Sequence, residues 1–330
     1  MALCNAINAV FRAALLCSML AAGFSLPAMA QSYPAKPLQL IVPYAPGAAY
    51  DLVGRIIAEG ARESLGTIVV ENRPGGSGGI AAAQVKRAAP DGYTLLLGGN
   101  PYVVGEALNI KRSHNFFEDF DQIGHLCDAP FLLTVNREAI PVNNLREFVE
   151  YVRARPGKLV YITPGSGTTH HFGMEALKLE TGLDVVHVPY KSIAQGVGDM
   201  VAGRVHMILS AYPAVGPHMK SGKFKILATI GAKRSSQQPD VPTFGEAGVP
   251  GVELVSWLGI AVPAGTPRPI INRLNSALGA MVQSPQVRDK LATQGLEPGG
   301  GTPEEISKRI RVDYERYVRI IKAAGITAID

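Results

Sequence analysis

The chain has 330 residues, of which 47% are hydrophobic and 18% charged, and its formal net charge is +5. Its 32 Lys and Arg residues are scattered without a long basic run, which argues against nucleic-acid binding and leaves a weak field favouring anions. The length fits two domains.

The first segment carries one charge, Arg12, then an apolar run over 13–24, then Ala28-Met29-Ala30. That pattern predicts a secretory signal, residues 1–30, cleaved after Ala30. The apolar run is shorter than the roughly 20 residues a membrane anchor needs. A lipoprotein site at Cys17 is disfavoured because Leu16 precedes it. Cys4 and Cys17 would leave with the signal, so Cys127 has no partner for an internal disulfide and reads as a buried, inert thiol. No later segment reaches membrane-spanning length, so the mature chain is expected to be soluble.

Residues 38–44 form an apolar run between prolines, suited to a buried strand. Leu52, Val53, Ile56, Ile57, Ala61 and Leu65 follow at helical spacing, with Gly66 as a stop. A short β-branched strand is expected over 67–71, a helix over 80–89, a strand over 93–97, and extended segments from Phe120 to Val135. Asn144 and Glu147 sit at capping-box spacing for a helix starting near Leu145. Strands are expected at 159–163, 185–188, 205–209, 225–230 and 258–262, with helices between the earlier ones. Thr302, Pro303 and Glu305 fit the cap, first-turn and third positions of a C-terminal helix. Such alternation predicts an α/β fold with mostly parallel sheets. No repeat of 20–50 residues is visible, and no low-complexity linker marks a boundary.

Three loops lie where a strand hands over to a helix, the edge at which open α/β sheets bind ligands. Helix starts there offer unpaired N–H groups and a partial positive charge to an anion. The first loop is Pro43-Tyr44-Ala45-Pro46-Gly47-Ala48-Ala49-Tyr50-Asp51, in which Asp51 reads equally as a helix cap or a ligand-side group. The second is Asn72-Arg73-Pro74-Gly75-Gly76-Ser77-Gly78-Gly79, whose glycines let backbone approach a ligand. The third is Thr163-Pro164-Gly165-Ser166-Gly167-Thr168-Thr169-His170-His171, with hydroxyls suited to a carboxylate or amide. After a fourth strand, Tyr190 is a candidate pocket wall, while Lys191 reads as solvated.

Enzyme chemistry is weakly signalled. Gly75-Gly76-Ser77-Gly78-Gly79 matches G-x-S-x-G, the nucleophile elbow of serine hydrolases. Arg73 and Pro74 separate that serine from its strand, however, and an acid and base are available only as Asp199 or Asp240 with His206 or His218. His170 and His171 are adjacent and point to different helix faces, so they do not form a metal pair. The run from Gly165 fails the dinucleotide fingerprint because His170 occupies its sixth position.

Tyr33-Pro34-Ala35-Lys36-Pro37 leading into IVPYAPGAAYD resembles the opening of the tripartite tricarboxylate transporter receptors, the Bug family. VENRPGGSGGI, APDGYTLLLG, TPGSGTTHHFGME, HVPYKS, VPGVELVSW and PAGTP continue the resemblance in family order, from residue 33 to about 325. It implies a type II-like periplasmic binding protein fold, two α/β lobes joined by two crossing strands with a ligand cleft between them. Lobe 1 is then expected at 31–131 plus 255–330, and lobe 2 at 132–254. The resemblance implies a periplasmic solute receptor, not an enzyme, that closes on a small carboxylate: a di- or tricarboxylate, an aromatic acid or a related amide. Membrane subunits of a tripartite transporter would be its partners. A sensor subunit presenting ligand to a signalling system is the alternative role. The receptor is expected to be a monomer with no cofactor and no metal.

Carried over, ligand contacts fall on Tyr44, Ala45, Gly47, Ala48, Ser77, Gly78, Gly165, Gly167, Thr168, Thr169, His171 and Tyr190. His171, rather than His170, matches the family histidine, and it either orients its loop or touches ligand. Asp51, Ser192 and Ser210 complete the candidate set. The sequence departs from the family pattern at Ala48, where a glycine is usual, and at Ser192, also usually glycine. Ser210 stands where many members carry an aspartate able to pair with a ligand ammonium, so its presence disfavours an amino-acid ligand.

Overall fold

The computed structural model describes residues 33–110, 113–219 and 221–327; the expected signal segment lies outside them. The chain opens with β1 (Leu38–Val42), buried except at Gln39, as an apolar run between prolines requires. The predicted helix over 52–65 is in fact two, α1 (Ala49–Gly60) and α2 (Arg62–Leu65). The break falls at Ala61, and just before it a Cβ on Gly60 would lie 2.6 Å from Val287 Cγ2, so the glycine lets another helix press close. Next come β2 (Ile68–Asn72), a 3₁₀ turn (Gly76–Gly78), α3 (Gly79–Lys86), β3 (Thr94–Gly99) and α4 (Asn100–Ala107). No expectation had covered α4.

The long β4 (Phe120–Ala129) continues past Pro130 into β5 (Phe131–Asn136). Then follow α5 (Leu145–Arg153), β6 (Val160–Thr163), α6 (Thr169–Thr181), β7 (Val186–Pro189), α7 (Ile193–Val201), β8 (Met207–Ala211), α8 (Tyr212–Met219) and β9 (Phe224–Thr229). The chain returns through β10 (Ser256–Pro263), α9 (Arg268–Gln283), α10 (Pro285–Thr293), β11 (Glu297–Pro298) and α11 (Pro303–Ala324). Both anticipated caps form. The Asn144 side chain accepts from Glu147 N, and Thr302 and Glu305 close a reciprocal capping box.

The strands make two sheets, ordered β11-β4-β10-β3-β1-β2 and β7-β6-β8-β5-β9. They are mixed, which corrects the mostly parallel expectation. β1 runs parallel to β2 and β3, and β6 parallel to β7 and β8, while β10, β4, β5, β9 and β11 pair antiparallel. The reason is connectivity. β4 and β5 carry the chain from the first sheet into the second, and β10, on the way back, must run against β4.

A buried hydrogen-bond network holds the place where the chain crosses. Trp257, at the start of β10, is fully buried; its backbone N–H donates to Asn100 Oδ1 at 2.6 Å and its indole N–H to Asp313 Oδ2 at 3.0 Å. Asn100 Nδ2 donates in turn to the Tyr317 hydroxyl at 2.9 Å. Tyr317 and Asp313 lie on the buried stripe of α11, and Tyr317 meets Phe172 of α6 edge-on with ring centroids 5.0 Å apart. Burial lifts the Asp313 carboxyl to about 6, against the pull of Arg309 and Arg316. Cys127 is buried in β4, and burial pushes its thiol well up, as expected of an inert cysteine. Among the described residues no helix is long and apolar enough to cross a membrane.

Candidate functional site

The first loop is built around Asp51. Its carboxylate accepts from Gly47 N at 2.8 Å, Arg55 Nε at 3.0 Å and Asn72 Nδ2 at 3.0 Å. The Arg55 guanidinium first, with the Gly47 and Asn72 bonds behind it, holds this carboxyl at about 2 against the opposing pull of burial. Asn72 also donates to Tyr44 O at 2.9 Å, so the first loop is stapled to the start of the second. Asp51 is not the helix cap, one of the two roles left open for it: α1 has no side-chain cap bond, and the carboxylate instead ties Gly47, Arg55 and Asn72 together. Ala48 is the backbone N-cap of α1.

The second loop is a run of left-handed residues: Gly75 (φ 124°), Gly76 (φ 55°), Ser77 (φ 49°) and Gly78 (φ 90°). Ser77 is the non-glycine among them, and an L-residue held there costs roughly 1–2 kcal/mol. The loop is clamped from below. Tyr102 Oη donates to Gly78 O at 3.1 Å, and a Cβ on Gly78 would lie 2.9 Å from that hydroxyl and 3.3 Å from Pro43 Cβ.

The third loop folds onto its own helix start. Thr168 is the N-cap of α6, accepting from His171 N at 3.4 Å while its hydroxyl donates to Gly165 O at 2.7 Å. Gly167 N donates to His171 Nδ1 at 3.2 Å, so that nitrogen carries no proton. His171 stacks on His187 at 4.4 Å, and His187 Nε2 lies 2.6 Å from Thr163 Oγ1. His171 therefore braces the loop from behind. Thr168→Ala is expected to cost about 1 kcal/mol through loss of the cap, with Thr168→Ser retaining most of it; calorimetric unfolding checks both.

These loops meet at one cavity of about 350 Å³. Of the anticipated residues, Tyr44, Ser77, Gly167, Thr168 and Thr169 line it. The others are placed differently. Ala45, Gly47, Ala48, Asp51, Gly78, Gly165 and His171 shape the loops without lining the cavity. The Tyr190 hydroxyl donates to Asp199 Oδ2 at 2.8 Å, and Ser192 caps α7 by accepting from Gln195 N at 3.3 Å. Ser210 is fully buried in β8, its hydroxyl without a hydrogen-bond partner.

The remaining wall comes from residues the sequence pattern did not single out. Pro101, Val104 and Leu108 follow one face of α4 and the residue after it, with Ile110 beyond. Phe131 and Ser256 stand where the chain crosses between sheets, and Tyr50, Ser166 and His170 complete the polar part. The residue lining the cavity is thus His170; its ring packs on Phe131 at 4.4 Å, and burial lowers it to about 4. Among the described residues no Lys, Arg, Asp or Glu lines this cavity, and no three His, Cys, Asp or Glu side chains are grouped to hold a metal ion. None of Asp199, Asp240, His206 or His218, the hydrolase partners considered for Ser77, lines it either. Asp199 is engaged by Tyr190 and Arg204, and His206 Nδ1 by Val160 N at 2.9 Å.

The histidines make the fold acid-sensitive. Burial lowers His170 and His187 to about 4 from 6.5, and His171 and His206 shift the same way. The unfolded chain takes up these protons near 6.5, while the folded chain takes them up only near 4 at His170 and His187 and below 6.5 at His171 and His206, so stability present above 6.5 is lost as pH falls below it. Asp313, raised to about 6 from 3.8, works in the opposite sense between those values, but it is one group against four. Each proton taken up on unfolding is worth up to about 1.4 kcal/mol per pH unit. The unfolding temperature is therefore expected to fall between pH 6.5 and 4.5; a calorimetric series showing a flat or rising value contradicts this.

Comparison with known proteins places this geometry. Residues 53–326 match the model of the tripartite tricarboxylate transporter family receptors. The chain is 33% identical over 307 residues to the protein BugT of Bordetella pertussis, covering 92% of this chain and 94% of that one. Among solved structures it resembles R. palustris Rpa4515 with adipate (34% identity, TM-score 0.74, 90% of this chain and 100% of that one). It also resembles MatC (Rpa3494) from Rhodopseudomonas palustris with bound malate (28% identity, TM-score 0.70, 88% and 100%). The two sheets are thus those of a two-lobed α/β periplasmic binding fold, and the chain belongs to the tripartite tricarboxylate transporter receptor family, with the Bug proteins among its relatives.

Proposed function

We propose that this protein is a periplasmic solute receptor that closes on a small carboxylate and delivers it to the membrane subunits of a tripartite transporter, without catalysing a reaction. In this reading residues 1–30 are removed on export. Lobe 1 (31–131 with 255–330) and lobe 2 (132–254) then act as the two jaws of a monomer. The observation that carries the reading is the cavity itself: loops from both sheets reach it, and its wall includes the N-cap of α6, Thr168, and the helix's first residues, Thr169 and His170. The first N–H groups of a helix lack intrahelical partners and sit at the positive end of its dipole, so an anionic head group is favoured there without a cationic side chain. Ligand touching both jaws stabilises the closed form by its greater affinity for that form. The adipate and malate in the two related structures support a carboxylate as the head group.

A thermal-shift panel of small carboxylates tests this. Ligand at about 100 times its dissociation constant adds roughly 2.7 kcal/mol to stability, a shift of several degrees. At least one carboxylate is expected to produce it; a panel in which none does at millimolar concentration contradicts the proposal.

A further inference from the structure

We infer that His171 and His187 act together as an acid-sensitive brace, so that the third loop keeps its ligand-holding shape, and the receptor its affinity, only while both imidazoles are neutral. The inference rests on the receptor reading above and adds to it a control by pH.

The two rings lie one over the other. His171, in the first turn of α6, and His187, in β7, have centroids 4.4 Å apart and planes 22° from parallel. Tyr161 of β6 continues the stack, 4.9 Å from His187. Each histidine reaches the third loop. His171 Nδ1 accepts from Gly167 N at 3.2 Å. His187 Nε2 lies 2.6 Å from Thr163 Oγ1, and that hydroxyl accepts from Gly165 N and donates to Gly165 O, both at 3.1 Å. The loop is thus held at Gly165 and Gly167, and Ser166, Gly167, Thr168 and Thr169 line the cavity. His171 and His187 do not line it, so they are positioning residues.

Acid attacks this brace in two ways. A proton on His171 Nδ1 turns the acceptor of the Gly167 N–H into a second donor, and that bond is lost. Protons on both rings set two like charges face to face in the stack. The surroundings give an imidazolium little help. Glu175 Oε1 stands 3.9 Å from His171 Nε2, but it already accepts from the Tyr161 hydroxyl at 2.6 Å and from Lys178 Nζ at 2.7 Å. Its charge is shared with an ammonium that opposes a proton on either ring. His170, next in the chain, packs on Phe131 instead. Burial first, then the neighbouring His171, lowers His187 to about 4, and burial lowers His171 against the pull of Glu175. An opened loop exposes both rings to water, where imidazoles take up protons near 6.5. The ordered loop is therefore favoured above that pH and lost as pH falls below it, and ligand held by the ordered loop is released with it.

An amide in place of an imidazole separates this from a merely structural role. The asparagine amide oxygen stands about where Nδ1 does, so His171→Asn keeps an acceptor for Gly167 N and takes up no proton. Amide hydrogen exchange is followed by mass spectrometry in the peptide 164–171 of the full mature protein, without ligand, at pH 7 and pH 5. Tryptophan fluorescence confirms the fold at each pH. Comparing wild type with variant at one pH cancels the intrinsic pH dependence of exchange. The wild-type-to-variant rate ratio is expected to rise at least about fivefold from pH 7 to pH 5. An unchanged ratio overturns the inference and leaves the receptor reading intact. Should His171→Asn not fold, His187→Gln, whose amide reaches towards Thr163 Oγ1, takes its place with the same expectation and the same refutation. Calorimetric titration with adipate then compares the same two proteins at the same two pH values, so that the acid's own titration cancels. The wild type is expected to lose at least about fivefold more affinity than the variant; equal losses, or a wild type that gains on the variant in acid, overturn the inference. Adipate binding to neither protein counts against the receptor reading, and the exchange ratio then decides the inference alone.

Discussion

Asn100→Leu is expected to cost about 3–4 kcal/mol of folding stability. The substitution keeps the size of the side chain and removes its polarity. Asn100 is fully buried and uses both ends of its amide: the oxygen accepts from Trp257 N at 2.6 Å, and the nitrogen donates to the Tyr317 hydroxyl at 2.9 Å. Leucine leaves the Trp257 N–H, at the start of β10, without an acceptor in a site water does not reach. Buried groups stranded in this way cost about 1–3 kcal/mol each. The effect should reach the cavity, because the Tyr317 hydroxyl also bonds with the Thr169 side chain on its wall. Trp257 is the single tryptophan, so its fluorescence reports denaturant unfolding from the middle of this network. Tyr317→Phe, which keeps the ring against Phe172, is expected to cost less. An Asn100→Leu midpoint equal to the wild-type value would show that the network is not what joins α4, β10 and α11.

The second large effect is expected at Gly99, the last residue of β3. Gly99→Ala should destabilise by about 2–3 kcal/mol and weaken ligand binding with it. The backbone there is extended (φ 174°), a conformation any residue adopts, so the cost is steric. An added Cβ would lie 2.6 Å from Trp257 O and would overlap the Tyr50 hydroxyl. The tyrosine can move, but it lines the cavity. The Trp257 carbonyl can move only by disturbing the pairing of Leu258 with Gly99 between β10 and β3. Denaturant unfolding and ligand titration on one preparation check both halves of the prediction.

Local chemistry was the legible part of the sequence. Thr302, Pro303 and Glu305 announced α11 because a capping box is written in three positions, and it forms as expected. The three loops were visible because glycine and proline mark turns, and all three contribute to the cavity. What depends on distant packing was not legible. Gly60 has to be glycine because Val287, some two hundred residues along the chain, lies against it. The helix α4, Asn-Pro-Tyr-Val-Val-Gly-Glu-Ala, contains a proline and a glycine in eight residues, which obscured a helical face; Pro101 in its first turn was the signal available. Phe131 and Ser256 reach the cavity only because the chain crosses between sheets at those points, a property of the topology. His170 and His171 differ by one position, and only the completed loop shows which braces and which lines.

The central claim is that one carboxylate is held between the first and second loops on one side and the third on the other. Amide hydrogen exchange followed by mass spectrometry, with and without a ligand found in the thermal-shift panel, tests it most directly. Protection is expected to concentrate in peptides covering residues 44–51, 75–79 and 164–171 together. Protection confined to one of these loops, or lying outside all three, would contradict it.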